Sequence, residues 1–252
     1  MNSLETSGPA VVAAAARLLG RLGLTQGALG HVSSRIEGSE RMWIKSKGPE
    51  EVGLRYTEEE DVIEVDFDCN AISDRGGLRP PSESFIHSWI YKLHPEVGSV
   101  IHLHPAHAVL LTICDKPIKP IYGAFGGGAR IAIDGVPTYP RSVRVLDDER
   151  GEEFAKFMSG KKVGLMRGHG VTVTGATVQD AAVRAVEFDE LATMNYRAYL
   201  LGEPQSISDA DIEELRAPAT ELGRGSAGGQ AGVLAKWRYL CRLAGEMEPS
   251  RT

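Results

Sequence analysis

Nine residues of the 252-residue chain hold its densest chemistry: Ser99, Val100, Ile101, His102, Leu103, His104, Pro105, Ala106 and His107. Val100, Ile101 and Leu103 mark a buried strand that ends near Pro105. On a strand, residues i and i+2 share a face, so His102 and His104 project together. Two imidazoles on one face make half of a divalent metal site. An isolated strand histidine is more often a satisfied core or surface group than a ligand, so a metal site needs a third donor from elsewhere. His169, within Met166-Arg167-Gly168-His169-Gly170, is the best candidate, because its flanking glycines let the backbone approach a bound ion. His107, three residues past His104 and on the helix that follows, reads as a supporting or surface group.

The rest of the chain must position these groups. With 42% hydrophobic and 25% charged residues, it has an ordinary globular composition, long enough for one substantial core within a single domain over residues 1–252. A net charge of −6 argues against nucleic acid as the partner, since a phosphate backbone needs a basic footprint. Cys69, Cys114 and Cys241 are widely spaced and form no disulfide framework, which suits a reducing cytoplasm. The first residues lack a signal-peptide pattern, and no apolar run approaches the ~20 residues of a membrane span.

A first helix opens at Ser7-Gly8-Pro9, with Ser7 as its cap, and buries Val11, Val12, Ala15, Leu18, Leu19 and Leu22 before ending at Gly23. Residues 25–35 mix glycines, hydroxyls, His31 and Arg35. Two readings of this stretch stand side by side: a loop leading to an edge strand, or a small anion pocket built from backbone N–H groups and polar side chains. Strands follow at Met42–Lys45 and Val62–Asp66, separated by an acidic turn capped at Thr57 and followed by a polar loop from Asp68 to Arg79. Pro80-Pro81-Ser82 begins a helix with Glu83 in its first turn and Phe85, Ile86, Trp89, Ile90 and Leu93 as its buried stripe. Glu83 either complements the helix dipole or lies over the metal, because the His102 strand follows within a few residues. Further on come a helix from Ala106 to Cys114, a Pro-rich connection, Gly126-Gly127-Gly128, a solvent-facing helix from Asp147 to Met158, and strands at 163–166 and 171–174. A long amphipathic helix from Val178 to Leu201 turns Val183, Val186, Leu191 and Met194 inward. A C-terminal helical tail occupies 208–252, with a Gly-rich stretch at 223–232 and a last helix at 233–246. The triple glycine is not a nucleotide fingerprint, and no nucleotide cofactor is expected.

Gly30-His31-Val32-Ser33-Ser34-Arg35, Pro81-Ser82-Glu83 at a helix start, His102-Leu103-His104-Pro105-Ala106-His107 and Gly168-His169-Gly170 fall in one order. Together they resemble the class II aldolase/adducin family over about residues 10–201. The resemblance implies an α/β fold with a central, mainly antiparallel sheet flanked by helices. It also implies one divalent metal per chain (zinc, manganese or iron) on His102, His104 and His169, with Glu83 as acid/base. It implies a homotetramer with sites between subunits, in which the tyrosine acid lent by a neighbouring subunit falls nearest Tyr122, displaced in the alignment.

The departures bear on the substrate. Sugar-phosphate aldolases of the family read Gly-Asn at Gly30-His31, Thr-Gly near Lys47-Gly48 and Ser-Ser-Glu at Pro81-Ser82-Glu83, so several of their phosphate ligands are missing here. The Gly-His-Val-Ser pattern with its following Arg resembles instead the branch of aromatic-acid decarboxylases. That branch implies a metal-dependent carbon–carbon lyase acting on a small hydroxylated carboxylate, with His31, Ser33, Arg35, Lys47, Gly48 and Ser82 around the substrate and Lys45 nearby. Retro-aldol cleavage and an iron oxygenase of an aromatic keto acid are the alternatives. A non-enzymatic adducin-like module has no need of three histidines and Glu83.

Overall fold

The computed structural model describes residues 7–72, 76–123, 127–216 and 229–246. Its centre is a seven-stranded sheet of order β3-β2-β1-β4-β7-β6-β5. The strands are β1 (His31–Arg35), β2 (Arg41–Lys45), β3 (Val62–Asp66), β4 (Ser99–Leu103), β5 (Thr138–Tyr139), β6 (Val163–Met166) and β7 (Gly170–Gly175). Every pairing is antiparallel except β5 with β6. The helices are α1 (Pro9–Arg21), α2 (Ser84–Leu93), α3 (Ala106–Ile113), α4 (Ala129–Ala132), α5 (Asp148–Phe157), α6 (Val178–Leu201), α7 (Asp209–Arg216) and α8 (Gln230–Ala244). No helix among the described residues is long and apolar enough to cross a membrane.

The sheet separates two apolar layers. Val32, Ile101, Leu103, Val171 and Val173 pack under α1, α3, α6 and α8. Met42, Ile44, Val65, Val100 and Met166 pack under α2 and α5. The period of two decides which side chains meet. On β4, Ile101 and Leu103 go to the first layer, whereas Val100 and His102 face α2. On β1, Ser34 turns to α1, where its Oγ accepts the Gly8 N–H, while His31, Ser33 and Arg35 face α2. β1 lies inside the sheet between β2 and β4, so the edge-strand reading of this stretch does not hold.

Local signals explain several ends and correct others. Gly8 is the N-cap of α1 with no side-chain cap, so Ser7 does not cap it; Pro at the helix start and the Ser34 hydroxyl do that work. Thr57 Oγ1 bonds the Gly53 carbonyl, and Glu58 caps the acidic 3₁₀ turn instead. Asp147 and Thr177 accept N–H bonds at the starts of α5 and α6. α5 is not simply solvent-facing: Gly151, Phe154 and Ala155 are buried, and it packs on α2. On α6, Met194 is exposed, and the buried positions include Phe188, Leu191 and Asn195. The tail packs on the body: Trp237 is fully buried, α8 lies on α1 and α6, and the Glu246 carboxylate bridges Arg17 and Arg21. Most of the Gly-rich stretch, with Gly126, lies outside the described residues.

Candidate metal centre and its surroundings

His102 is the penultimate residue of β4, His104 follows the strand's last residue, Leu103, and His169 sits in the three-residue turn joining β6 to β7. Each offers one nitrogen, and these atoms lie within 4.8 Å of one another. Ring centroids are 4.9 Å apart for His102 and His104, 5.0 Å for His102 and His169, and 5.3 Å for His104 and His169.

Two glycines make this convergence possible. Gly168 adopts φ +60° at the hairpin tip, a conformation that favours glycine. At Gly170 a Cβ would run into the Leu103 carbonyl oxygen and come within 3.0 Å of the His104 ring. Gly170 therefore admits the neighbouring strand and its imidazoles, and Gly168 forms the turn that carries His169.

The three rings fit a cation. His102 Nε2, His104 Nδ1 and His169 Nδ1 are buried and have no hydrogen-bond partner. Leaving a buried polar atom unmade costs about 1–3 kcal/mol, and each of the three adjoining rings carries one such atom. The Thr172 hydroxyl, opposite His102 on β7, contacts His102 Nδ1 at 3.0 Å. With Nδ1–H donating to that oxygen, the Nε2 lone pair faces the cluster. Burial keeps His102 well below its ordinary pKa and lowers His104 to about 4. Both are neutral at physiological pH, as metal ligands must be.

Glu83 stands beside the triad as the N-cap residue of α2, not in its first turn, and it makes no side-chain cap. Its Oε1 accepts the Val145 N–H at 3.0 Å, and its Oε2 lies 3.5 Å from His169 Nε2. Burial alone would raise the carboxyl pKa. The hydrogen bond and charge of His169, the Val145 N–H and Arg144 outweigh it and hold Glu83 below the usual carboxylate range. Arg144, which the sequence reading did not single out, also donates to the Ser82 hydroxyl.

The face of α2 toward the sheet is a stripe of Glu83, His87 and Tyr91 at four-residue spacing, with Ile86 and Ile90 beside it. Leu93 is exposed, and Phe85 and Trp89 are half-buried, so the apolar stripe expected there is displaced. His87 and Tyr91 escaped the sequence reading because it sought apolar residues at helical spacing. The signal was the i, i+4, i+8 recurrence of polar groups after Glu83.

Of the expected substrate groups, His31 reaches the triad. It sits opposite His102 in the β1–β4 register and stacks on it with centroids 5.2 Å apart. Lys47 lies close enough to act on the charge of His31 and His104, while its ammonium donates to the Ala28 carbonyl. Gly48 packs against Leu78, where a Cβ would not fit freely. Ser82 is exposed at the start of α2. Ser33 and Arg35 are held by partners on and beside α2. Ser33 is sealed in the core against His87 and Tyr91. Arg35 is one helix length away, where its guanidinium donates to the carbonyls of Tyr91, His94 and Val97 and stacks on Tyr91, closing the C-terminal end of α2. Lys45 is buried in an ion pair with Glu51.

The structure does not bring Tyr122 to the triad within one copy of the chain. Its hydroxyl lies against Gly128, and burial, with Glu190 and Glu187 of α6, pushes its pKa up to about 12. His107 also turns away: its Nδ1 contacts Thr193 of α6 at 2.9 Å, and its ring stacks on Tyr196.

This sheet, with three imidazoles and a carboxylate at one end of its central strands, is the arrangement of a class II aldolase-type lyase. The chain belongs to the family of class II aldolase and adducin N-terminal domains, which matches residues 10–196. It is 38% identical over 232 residues to a 3,4-dihydroxyphthalate decarboxylase of Terrabacter sp. (strain DBF63), covering 91% of this chain and 93% of the relative. It is 34% identical over 239 residues to a 3,4-dihydroxyphthalate decarboxylase of Arthrobacter keyseri, covering 92% of each. Among solved structures, an aldolase II superfamily protein from Pseudomonas syringae superposes with a TM-score of 0.78 at 22% identity, over 94% of this chain and 91% of that one. That likeness confirms the mainly antiparallel α/β fold.

Proposed function

We propose that the chain removes carbon dioxide from a small hydroxylated aromatic carboxylate of the 3,4-dihydroxyphthalate type, with a divalent metal held by His102, His104 and His169. The observation that carries this reading is the cluster of three buried imidazoles, each with an unpartnered nitrogen, beside an ionised carboxylate. The identity to the two named decarboxylases supports the choice of substrate class. Zinc, manganese and iron all suit imidazole donors. When bound, such a metal supplies a Lewis acid that neutralises adjacent substrate oxygens and offsets negative charge building on the ring.

The chain's own residues then move the proton. Glu83 is ionised at rest and can take the proton of the phenolic hydroxyl ortho to the departing carboxylate. The ring–carboxylate bond breaks with its electron pair left on the ring carbon, and carbon dioxide departs. Glu83 returns its proton to that carbon. His31, Lys47, Gly48, Ser82 and Arg144 border the substrate side, and Ser33 and Arg35 support it from behind. We extend the reading to a homotetramer in which Tyr122 is offered to a neighbouring copy's site.

The test is incubation of metal-loaded protein with 3,4-dihydroxyphthalate, following carbon dioxide and the ring product. Loss of the carboxylate ortho to a hydroxyl yields 3,4-dihydroxybenzoate. Equally efficient cleavage of fuculose or rhamnulose phosphate would favour the aldolase alternative, and dependence of turnover on dioxygen would favour the oxygenase.

A further inference from the structure

A chain of buried hydrogen bonds runs from the backbone of β4 to His31. The Val100 N–H meets the Tyr91 hydroxyl at 3.1 Å, and that hydroxyl lies 2.7 Å from Ser33 Oγ. Ser33 Oγ lies 2.6 Å from His87 Nδ1, and His87 Nε2 lies 2.6 Å from His31 Nδ1. Ser33, His87 and Tyr91 are at most 1% exposed.

One end of this chain has a fixed direction. A backbone N–H only donates, so Tyr91 Oη accepts from Val100. The tyrosine hydrogen then goes to its other neighbour, Ser33 Oγ. The Ser33 hydrogen has two acceptors within reach, His87 Nδ1 at 2.6 Å and the Val100 carbonyl at 3.3 Å. The usual O–H donor distance is about 2.7–2.8 Å, and 3.3 Å is long for it, so the hydrogen goes to His87. A neutral imidazole with an accepting Nδ1 carries its hydrogen on Nε2, and His87 donates to His31 Nδ1. By the same rule His31 carries its hydrogen on Nε2. That nitrogen has no hydrogen-bond partner among the described residues, and His31 as a whole is 4% exposed. The His31 ring stacks on His102 and has His104 and Lys47 as further neighbours.

We propose that His87 is a positioning residue: it locks His31 in the Nε2–H tautomer, so that His31 offers the substrate a hydrogen-bond donor beside the triad and not a base. A donor there suits an anionic oxygen, such as a substrate carboxylate. That use rests on the decarboxylase reading, whereas the tautomer does not.

The test is a long-range proton–nitrogen correlation spectrum of the full chain, zinc-loaded and labelled in the imidazole nitrogens, with His31 assigned by its loss in His31→Gln. The expected result is an Nε2-protonated His31 in the wild type and loss of that preference in His87→Phe. Ser33→Ala removes the hydrogen that fixes His87 and gives the same result if His87→Phe does not fold. His87→Gln, which keeps an acceptor and a donor, should restore the native pattern. An Nδ1-protonated His31 in the wild type, or an unchanged tautomer in both variants, overturns the assignment. With 3,4-dihydroxyphthalate, variants that lose the tautomer should show KM raised about 10-fold or more, the worth of a hydrogen bond to a charged group, with kcat less affected. An unchanged KM in such a variant overturns the donor role. No turnover of that compound, with the tautomer responding as described, supports the positioning role and counts against the substrate.

Discussion

Oε2 of Glu83 and Nε2 of His169 lie 3.5 Å apart, joining the start of α2 to the β6–β7 hairpin. The two groups come from separate layers, a helix packed on the sheet and a turn at its end, so their meeting is a product of the tertiary fold. The contact places an ionised carboxylate at the edge of the imidazole cluster without occupying it.

Glu83→Gln keeps the size of the side chain and its bond from the Val145 N–H but cannot carry a proton. Metal content should survive, and turnover should fall by ~10²–10⁴, the usual share of general acid–base catalysis. Steady-state rates with metal analysis of the same sample check this. Near-normal turnover would reduce Glu83 to holding the start of α2 against residue 145.

Single alanine variants of His102, His104 and His169 should remain folded and lose most of their metal. Thr172→Val is the sharper test. It removes the oxygen that holds His102 Nδ1–H while leaving all three imidazoles in place, and should weaken metal affinity about 10–100-fold. Competition with a chromophoric chelator reads this directly, and wild-type affinity in Thr172→Val would mean that His102 is oriented by packing alone.

Much of this was legible in the sequence because it is local. His-x-His on a strand, a Gly-His-Gly turn and the long helix from Val178 to Leu201 depend on patterns within one stretch of chain. The groups that failed to match depend on which element lies across the sheet. Arg35 looked like an anion receptor because guanidinium, glycine and hydroxyl were close in sequence. In the fold, the same alternation that brings His31 to the metal end of β1 carries Arg35 to the far end of α2. His87 is invisible to a search for apolar periodicity, since its value lies in facing Ser33 and His31 from another layer. Lys45 has a buried partner, Glu51, that spacing alone does not announce.

Gly170→Ala tests whether the hairpin must press on β4. The new methyl would meet the Leu103 carbonyl and the rings of His104 and His102, and neither backbone can yield without moving a ligand. Overpacking of this kind costs about 1–3 kcal/mol. Lower thermal stability together with lost metal affinity is expected. A variant with native metal affinity would show that the triad tolerates a wider hairpin.

The buried histidines also fix the sign of the pH dependence of stability. Burial drops His87 to about 3 in the folded chain, against about 6.5 when unfolded. Between these values the unfolded chain holds a proton that the folded chain does not, so stability rises with pH across that window and is lost as pH falls through it. Above pH 6.5 His87 contributes no slope. Its full share of the slope is about 1.4 kcal/mol per pH unit. Burial, as the largest cause, also depresses His31, His102 and His104, and Glu83 is depressed too. All of them therefore act in the same direction, and bound metal steepens the loss because protons compete for its ligands. Urea unfolding across about pH 5 to 8 should show stability level above about 6.5 and falling steeply below it. His87→Phe should fall less steeply than wild type, by about one proton's worth of slope, even if its stability is lower throughout. Identical slopes for the two proteins would mean that His87 is protonated in the folded chain, and that its contacts with Ser33 and His31 are arranged differently.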